Sequence, residues 1–278
     1  MSDAAPPVLY HYTSQLGLLG ILNDQAVWAT KISHLNDGRE LAYGFDLLRR
    51  YVEELDGFSS DDLDGRLLRH LREYLDRVGY MNLFVASFTE EGDLLSQWRG
   101  YGRPGDAYSI GFPEALLASE AVRRSGYNLV RCSYTLEEQQ AALPHLLVTA
   151  KEKLAFLLGQ HDAPALDVAL ESVGFEFTFQ ALTVAASLKD RAFQEEKEWR
   201  LIATRYVGPN RTSFRKGRHC LIPYEVVALN DLATAPITVT IGPTQHPDLA
   251  LDSVMQVFKA RNMQYGLLSR SEVSYRDW

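Results

Sequence analysis

The chain has 278 residues, 46% of them hydrophobic, so it is long enough to bury a core as one domain. Its net charge of −8 argues against a protein whose whole surface coats nucleic acid, because phosphate contacts require clustered Lys and Arg. Residues 1–7 lack the features of a signal peptide, no segment approaches the roughly 18 consecutive apolar residues of a membrane span, and Cys132 and Cys220 have no metal-binding spacing. We therefore expect a cytoplasmic protein without a membrane partner.

Strands and helices are predicted along the chain without regular alternation. The predicted strands cover about residues 9–13, 26–31, 81–88, 108–112, 128–134, 199–204, 220–223, 237–241 and 265–269. Ser14 is expected to cap the first helix, Pro113 to start one that runs to about residue 124, and a final helix to cover about 247–262. Two further helices are predicted between the second and third strands, the later one ending near residue 78.

The periodicity changes to a helical one over residues 136–188. Leucines step by three and four residues from Leu143 to Leu158, and a second apolar run extends from Leu166 to Leu188. This pattern predicts a helical hairpin inserted between β-rich parts, with its turn near residues 159–164. We therefore expect one mixed α+β domain over residues 1–278, rather than a doubly wound sheet.

Two short segments carry chemically capable side chains inside predicted strands. His11 lies within the first strand, and its alternative role is that of a structural histidine bonded to the backbone. Glu198 lies at the start of the strand over 199–204, where alternation would place it on one face with Glu196 and beside Arg200. A structural Glu–Arg pair is the alternative there. Sequence signatures of phosphate loops, dinucleotide folds, nucleophile elbows and zinc sites are absent.

Several motifs, in this order, resemble the bacterial family called domain of unknown function 2971. They are Tyr10-His11-Tyr12-Thr13, Leu35-Asn36-Asp37 with Glu40, Ser87-Phe88 followed by Leu95, Trp98 and Tyr101, Glu196 to Leu201, Ile241-Gly242-Pro243, and Ser271 to Arg276. The resemblance covers nearly the whole chain but implies no activity.

A more distant resemblance is to ADP-ribosyltransferases, and it rests on the first strand with its histidine, the helix after it and the late Glu198. It implies a mainly antiparallel β core, NAD as substrate, and Glu198 and His11 as the catalytic residues, with His11 donating hydrogen bonds to the ribose. The residues implied to bind NAD are Tyr10, His11, Thr13, Ser87, Phe88, Trp98, Tyr101 and Arg200. The chain lacks a clear Tyr-x-x-x-Tyr or Ser-Thr-Ser signature in the middle position.

The function that this resemblance implies is an NAD-consuming transferase or NAD glycohydrolase in a toxin or phage-defence setting. The acceptor would be a nucleic acid or a protein, and Arg211, Arg215 and Lys216 would contact it or a phosphate. A solvated basic loop is the alternative for these three residues. For the whole chain the alternative is a non-catalytic nucleotide- or nucleic-acid-binding domain. Transfer of an RNA 2′-phosphate to NAD would require more cations around the pocket.

The cluster from Asn36 to Glu40 has two interpretations. Asn36 and Asp37 are good helix-capping residues, and Glu40 stands where a capping-box partner would lie. A divalent metal held by Asp37 and Glu40 is the alternative.

Overall fold

The computed structural model describes residues 7–35, 40–56, 62–76, 81–101, 105–206 and 211–273. Its strands are β1 Val8–Ser14, β2 Ala26–Lys31, β3 Met81–Thr89, β4 Ala107–Pro113, β5 Asn128–Arg131, β6 Glu198–Tyr206, β7 Ser213–Lys216, β8 Leu221–Ala228, β9 Thr238–Ile241 and β10 Leu268–Arg270. Its helices are α1 Gln15–Asp24, α2 Glu40–Asp56, α3 Leu63–Asp76, α4 Leu95–Tyr101, α5 Glu114–Leu117, α6 Glu120–Arg124, α7 Leu136–Leu158, α8 Leu166–Ala185 and α9 Pro247–Ala260. The fold is mixed α+β, as the sequence predicts, and its open sheet is mostly antiparallel.

The sheet forks at β3. This strand pairs with β6 over all nine of its residues, which occupies one of its two edges. The other edge is shared: β1 meets it at the pair Tyr10–Thr89, and β2 meets it at the pair Thr30–Val85. Ser87 lies between these two meeting points, where β1 and β2 diverge.

Two wings extend from the fork. One contains β1, β4, β9 and β10, and the other contains β2, β8 and β7. Because β1 and β2 are both antiparallel to β3, they run parallel to each other, and α1 connects them. The Ser14 hydroxyl accepts the backbone N–H of Gly17 and so caps α1 as expected.

Alternate residues of β3 enter two hydrophobic cores on opposite faces of the sheet. Phe84 and Phe88 join the core formed with α1 and α9, and we call this side the α1/α9 face. Leu83 and Val85 join the core formed with α2, α3, α7 and α8, and we call this side the α7/α8 face. Helices α7 and α8 pack against each other within the region of the predicted hairpin.

Some local predictions differ from the structure. The helix predicted from Pro113 to Arg124 is two short helices, because Ser119 caps a new helix by accepting the N–H of Val122. Residues 95–101 form α4, where the sequence predicts no helix, and part of the basic segment forms the edge strand β7. The four residues of β7 are too few for periodicity to be read.

Some predictions cannot be compared with the structure. Asn36, Asp37, the side chain of Glu40 and residues 208–210 lie outside the described residues. Within the described ranges, no group of three or more His, Cys, Asp or Glu residues is arranged to hold a metal ion. None of the helices in those ranges combines the length and apolar character needed to cross a membrane.

Candidate active site at the sheet fork

A cavity at the fork brings together residues of β1, β3, α4 and the start of β6. Its volume is about 40 Å³, and its rim is formed partly by Tyr101, which is 48% exposed. Ligand pockets usually have roughly 300 to 1,000 Å³, so a nucleotide enters only if the rim opens. The lining residues are Tyr10, His11, Tyr12, Ser87, Phe88, Thr89, Gln97, Tyr101, Glu196 and Glu198.

The half-buried side chain of His11 lies at the fork, beside Ser87. Its Nδ1 lies 2.8 Å from the Ser87 carbonyl oxygen, and because a carbonyl only accepts, Nδ1 carries the proton. The ring also contacts Phe88, with 5.6 Å between ring centroids. Burial lowers the pKa of His11 below 6.5, the Ser87 hydrogen bond opposes this, and the charge of Arg215 lowers the pKa further. The imidazole is therefore neutral at pH 7, with Nε2 as a hydrogen-bond acceptor.

Glu198 begins β6 and is only 5% exposed. Its Oε1 accepts Arg200 Nε at 2.8 Å, and its Oε2 accepts Arg200 Nη2 at 2.9 Å and Lys189 Nζ at 2.6 Å. Burial raises the pKa of Glu198, but the charges of Arg200 and Lys189 outweigh it and hold the pKa at about 2. The carboxylate is therefore ionised at all physiological pH values.

Lys189 links the carboxylates of Glu196 and Glu198. It is not among the site residues predicted from the sequence. Its side chain is 4% exposed, and its Nζ lies 2.5 Å from Glu196 Oε2 as well as 2.6 Å from Glu198 Oε2. The expectation that Glu196 and Glu198 share one strand face is wrong. Glu196 ends a 3₁₀ turn, and Lys197, with φ of 40°, turns the chain before β6 begins. In the sequence nothing distinguishes Lys189 from a solvated lysine at the end of an apolar run.

Aromatic side chains complete the cavity wall. The Tyr10 ring packs on two glycines: a Cβ at Gly92 would lie 2.5 Å from ring atom Cε1, and one at Gly111 would lie 2.7 Å from it. Burial, together with the negative charges of Glu198 and Glu196, raises the pKa of Tyr101 to about 12. Its hydroxyl is therefore a hydrogen-bond donor at neutral pH.

Three of the predicted NAD-binding residues lie outside the cavity lining. Trp98 is 2% exposed, and its Nε1 donates to Asp93 Oδ1 at 2.7 Å, so its role is in packing α4. Thr13 lies further along β1, opposite Tyr108 of β4. Arg200 is buried and reaches the cavity only through Glu198.

The three predicted acceptor contacts have different environments. Arg211 and Lys216 are exposed, whereas Arg215 is half-buried. Arg215 Nη2 donates to Thr30 Oγ1 at 2.9 Å. Strand alternation places Lys216 on the opposite side of β7 from Arg215, so these residues do not form one contact set.

The strand register gives a further constraint on the site. In-register partners share a face, so Tyr10, Thr89 and Glu198 project on the α7/α8 face. His11 and Phe88, one residue away along their strands, have the opposite parity. Both sets nevertheless line one cavity, because the divergence of β1 from β2 leaves an opening beside Ser87.

One family model matches part of the chain. Residues 97–201 match the model of a family described as "Protein of unknown function (DUF2971)". The match supports the family resemblance over the part of the chain that contains Gln97, Tyr101, Glu196 and Glu198. No curated protein and no solved structure matches the chain.

Proposed function

We propose that the protein is an NAD-consuming, ADP-ribosyltransferase-like enzyme that binds the nicotinamide riboside part of NAD at the fork. The observation that carries the proposal is that His11 and Glu198, which are 187 positions apart in the chain, line one cavity. The other lining residues include aromatic rings suited to stacking on nicotinamide, among them Phe88 and Tyr101.

The proposed reaction uses the fixed charge of Glu198. The bond between ribose C1′ and the nicotinamide nitrogen breaks, and its electron pair leaves with nicotinamide. Water or an acceptor then bonds to C1′ and loses a proton. The ribose carries positive charge in between, and an ionised carboxylate stabilises it by roughly 3 to 4 kcal/mol, about 10² to 10³ in rate. A pKa of about 2 keeps Glu198 in this form.

The protonation of His11 changes the role that the sequence suggested for it. Because Nδ1–H is used by the Ser87 carbonyl, Nε2 accepts a hydrogen bond from a ribose hydroxyl instead of donating one. Orientation of the sugar by this contact would reduce the entropic part of the barrier.

A ribose hydroxyl that binds Glu198 needs an acceptor position on the carboxylate, and exchange with Lys189 is one way to provide it. Lys189 Nζ already has Glu196 as a second acceptor at 2.5 Å. A ribose 2′-hydroxyl can therefore replace Lys189 on Glu198 Oε2 without leaving the ammonium group unpaired. Outward movement of Tyr101 would provide the additional volume.

Release of nicotinamide from NAD tests this proposal. Purified protein is incubated with NAD, with and without nucleic acid or protein acceptors, and free nicotinamide is measured by chromatography. We expect release by the wild type and a 10²- to 10³-fold slower rate for Glu198→Gln. Glu225→Gln is the matched control, because Glu225 is also buried and paired with an arginine but lies outside the cavity. No release by the wild type, or equal rates for wild type and Glu198→Gln, would contradict the proposal.

A second candidate function is a non-catalytic nucleotide-binding domain of the same fold. The specific observation in its favour is that Glu198 already accepts three N–H groups, from Arg200 and Lys189, as a structural ion pair would. Binding of NAD in calorimetry without release of nicotinamide selects this function over the first.

A further inference from the structure

A partly exposed group of planar side chains lies on the wing formed by β2, β8 and β7. The Trp28 and Tyr224 rings are 4.5 Å apart and inclined by 31°. The Arg215 guanidinium lies 5.7 Å from the first ring centroid and 6.0 Å from the second. We call Trp28, Arg215 and Tyr224 the stacking patch. Trp28 is 37% exposed, and its neighbour Val226 is 52% exposed, so this part of the sheet face is open to solvent.

The stacking patch faces the same side of the sheet as Glu198. Thr30 is in register with Tyr224 on β8 and with Val85 on β3, and Val85 belongs to the α7/α8 face. Arg215 Nη2 donates a hydrogen bond to Thr30 Oγ1 at 2.9 Å, and this bond holds the guanidinium beside β2. The electrostatic effect of Arg215 also reaches His11. The patch and the Glu198 side of the cavity therefore lie on the same face of the sheet.

The chain around the patch is basic although the whole protein is acidic. Residues 211–224 contain Arg211, Arg215, Lys216 and Arg218 and no Asp or Glu, against a net charge of −8 for all residues. Within the described residues, β7 is the outer strand of this wing, and its backbone and charged side chains are reachable from solvent. This charge distribution favours an anionic partner.

We propose that the stacking patch binds single-stranded nucleic acid, with a base stacked on Trp28 and with phosphates along the β7–β8 hairpin. Aromatic rings and a guanidinium recognise the planar bases, while the surrounding cations recognise the backbone. An acidic protein would pair with the cations but would offer no planar base to stack on the rings of the patch. The bound strand would be the acceptor at the neighbouring cavity. That acceptor role rests on the proposed function, whereas the binding itself does not.

Fluorescence anisotropy with labelled single-stranded oligonucleotides tests the binding. Twelve-residue oligo-uridine and oligo-thymidine are titrated at several salt concentrations and without NAD, so that catalysis plays no part. We expect Trp28→Ala to weaken binding roughly 5- to 140-fold, the range found for loss of one stacked base. Arg211→Ala removes one exposed cation of the basic segment and should reduce the slope of log K against log salt by about 0.7.

Two further variants separate stacking from charge and from folding. Arg215→Lys keeps the charge but loses the planar group, so it should weaken binding while leaving the salt dependence nearly unchanged. Phe214→Ala removes an exposed ring on the opposite side of β7 and should bind as the wild type does. Thermal unfolding of each variant confirms that the protein is folded.

The outcomes distinguish this proposal from the proposed enzymatic function. Oligonucleotide binding that depends on Trp28 supports the patch even if NAD is not cleaved. Absence of binding at micromolar concentrations overturns it even if nicotinamide is released. Equal weakening by Phe214→Ala and Trp28→Ala would also overturn it, as would binding of an acidic peptide in preference to the oligonucleotides.

Discussion

The buried ion pairs of Glu198 predict a pH-dependent effect of the Glu198→Gln substitution. The pKa of Glu198 falls from 4.5 to about 2 in the folded protein. Each tenfold change in a protonation equilibrium is worth about 1.4 kcal/mol, so the ionised carboxylate contributes about 3 kcal/mol to the free energy of unfolding. This agrees with the roughly 3 to 5 kcal/mol lost when one partner of a buried ion pair is removed.

The sign of the pH dependence follows from the lowered pKa. Above pH 4.5 the stabilisation by Glu198 is fully present, and it is lost as the pH falls towards 2, because the unfolded chain then binds a proton more readily than the folded protein. The glutamine variant has no such group. The difference in unfolding free energy between wild type and Glu198→Gln should therefore decrease from about 3 kcal/mol at pH 7 as the pH approaches 2.

Urea denaturation at a series of pH values between 7 and 3 measures this difference. Glu120→Gln serves as the control, because the Glu120–Arg124 pair has side chains 68% and 78% exposed and such pairs contribute roughly 0 to 1 kcal/mol. A difference for Glu198→Gln that stays constant over the whole pH series would show that the effect arises from packing rather than from the charge.

Three other perturbations test separate parts of the site. Because the pKa of His11 is lowered, the wild type should lose stability as the pH falls below 6.5, and His11→Gln should lose less between pH 7.5 and 5.5 in urea denaturation. Gly92→Ala places a methyl group 2.5 Å from the Tyr10 ring and should cost roughly 1 to 3 kcal/mol in thermal unfolding, whereas Gly100→Ala, with no atom within 4 Å, should be neutral or stabilising. Tyr101→Phe should keep the rim closed, while Tyr101→Ala should enlarge the cavity, so only the latter should change the apparent KM for NAD if the rim controls entry.

Most of the local structure around the site can be predicted from the sequence. The β-favouring residues of β1 and the capping residue Ser14 are short-range signals, so β1 and β2 are predicted to within one residue and the start of α1 is predicted at Ser14. Helix α4 was missed because its seven residues are too few for a period to be seen, although they carry Trp98 into the core. The strand β7 was missed because its pairing with β8 is a tertiary interaction.

The sequence predicts the site residues more readily than it predicts the residues that contact them. His11 and Glu198 stand out because they are ionisable groups in segments that otherwise predict strands. Lys189 does not stand out, since a lysine after a helix is usually solvated and only the fold shows it buried between two carboxylates. Trp28 is likewise an ordinary strand residue in the sequence, and its meeting with Arg215 depends on strand pairing across the wing.

The fork explains why alternation along single strands cannot predict this site. In a continuous sheet, a residue with the parity of His11 would be separated from Glu198 by the thickness of the sheet. Here β1 and β2 occupy different ends of one edge of β3. The imidazole of His11 lies at the opening between them and donates a hydrogen bond to the Ser87 carbonyl. Closing that opening should therefore separate the two faces. The outcome to measure is NAD turnover in a variant such as Ser87→Val, whose bulk at the fork should reduce turnover if ribose binds there.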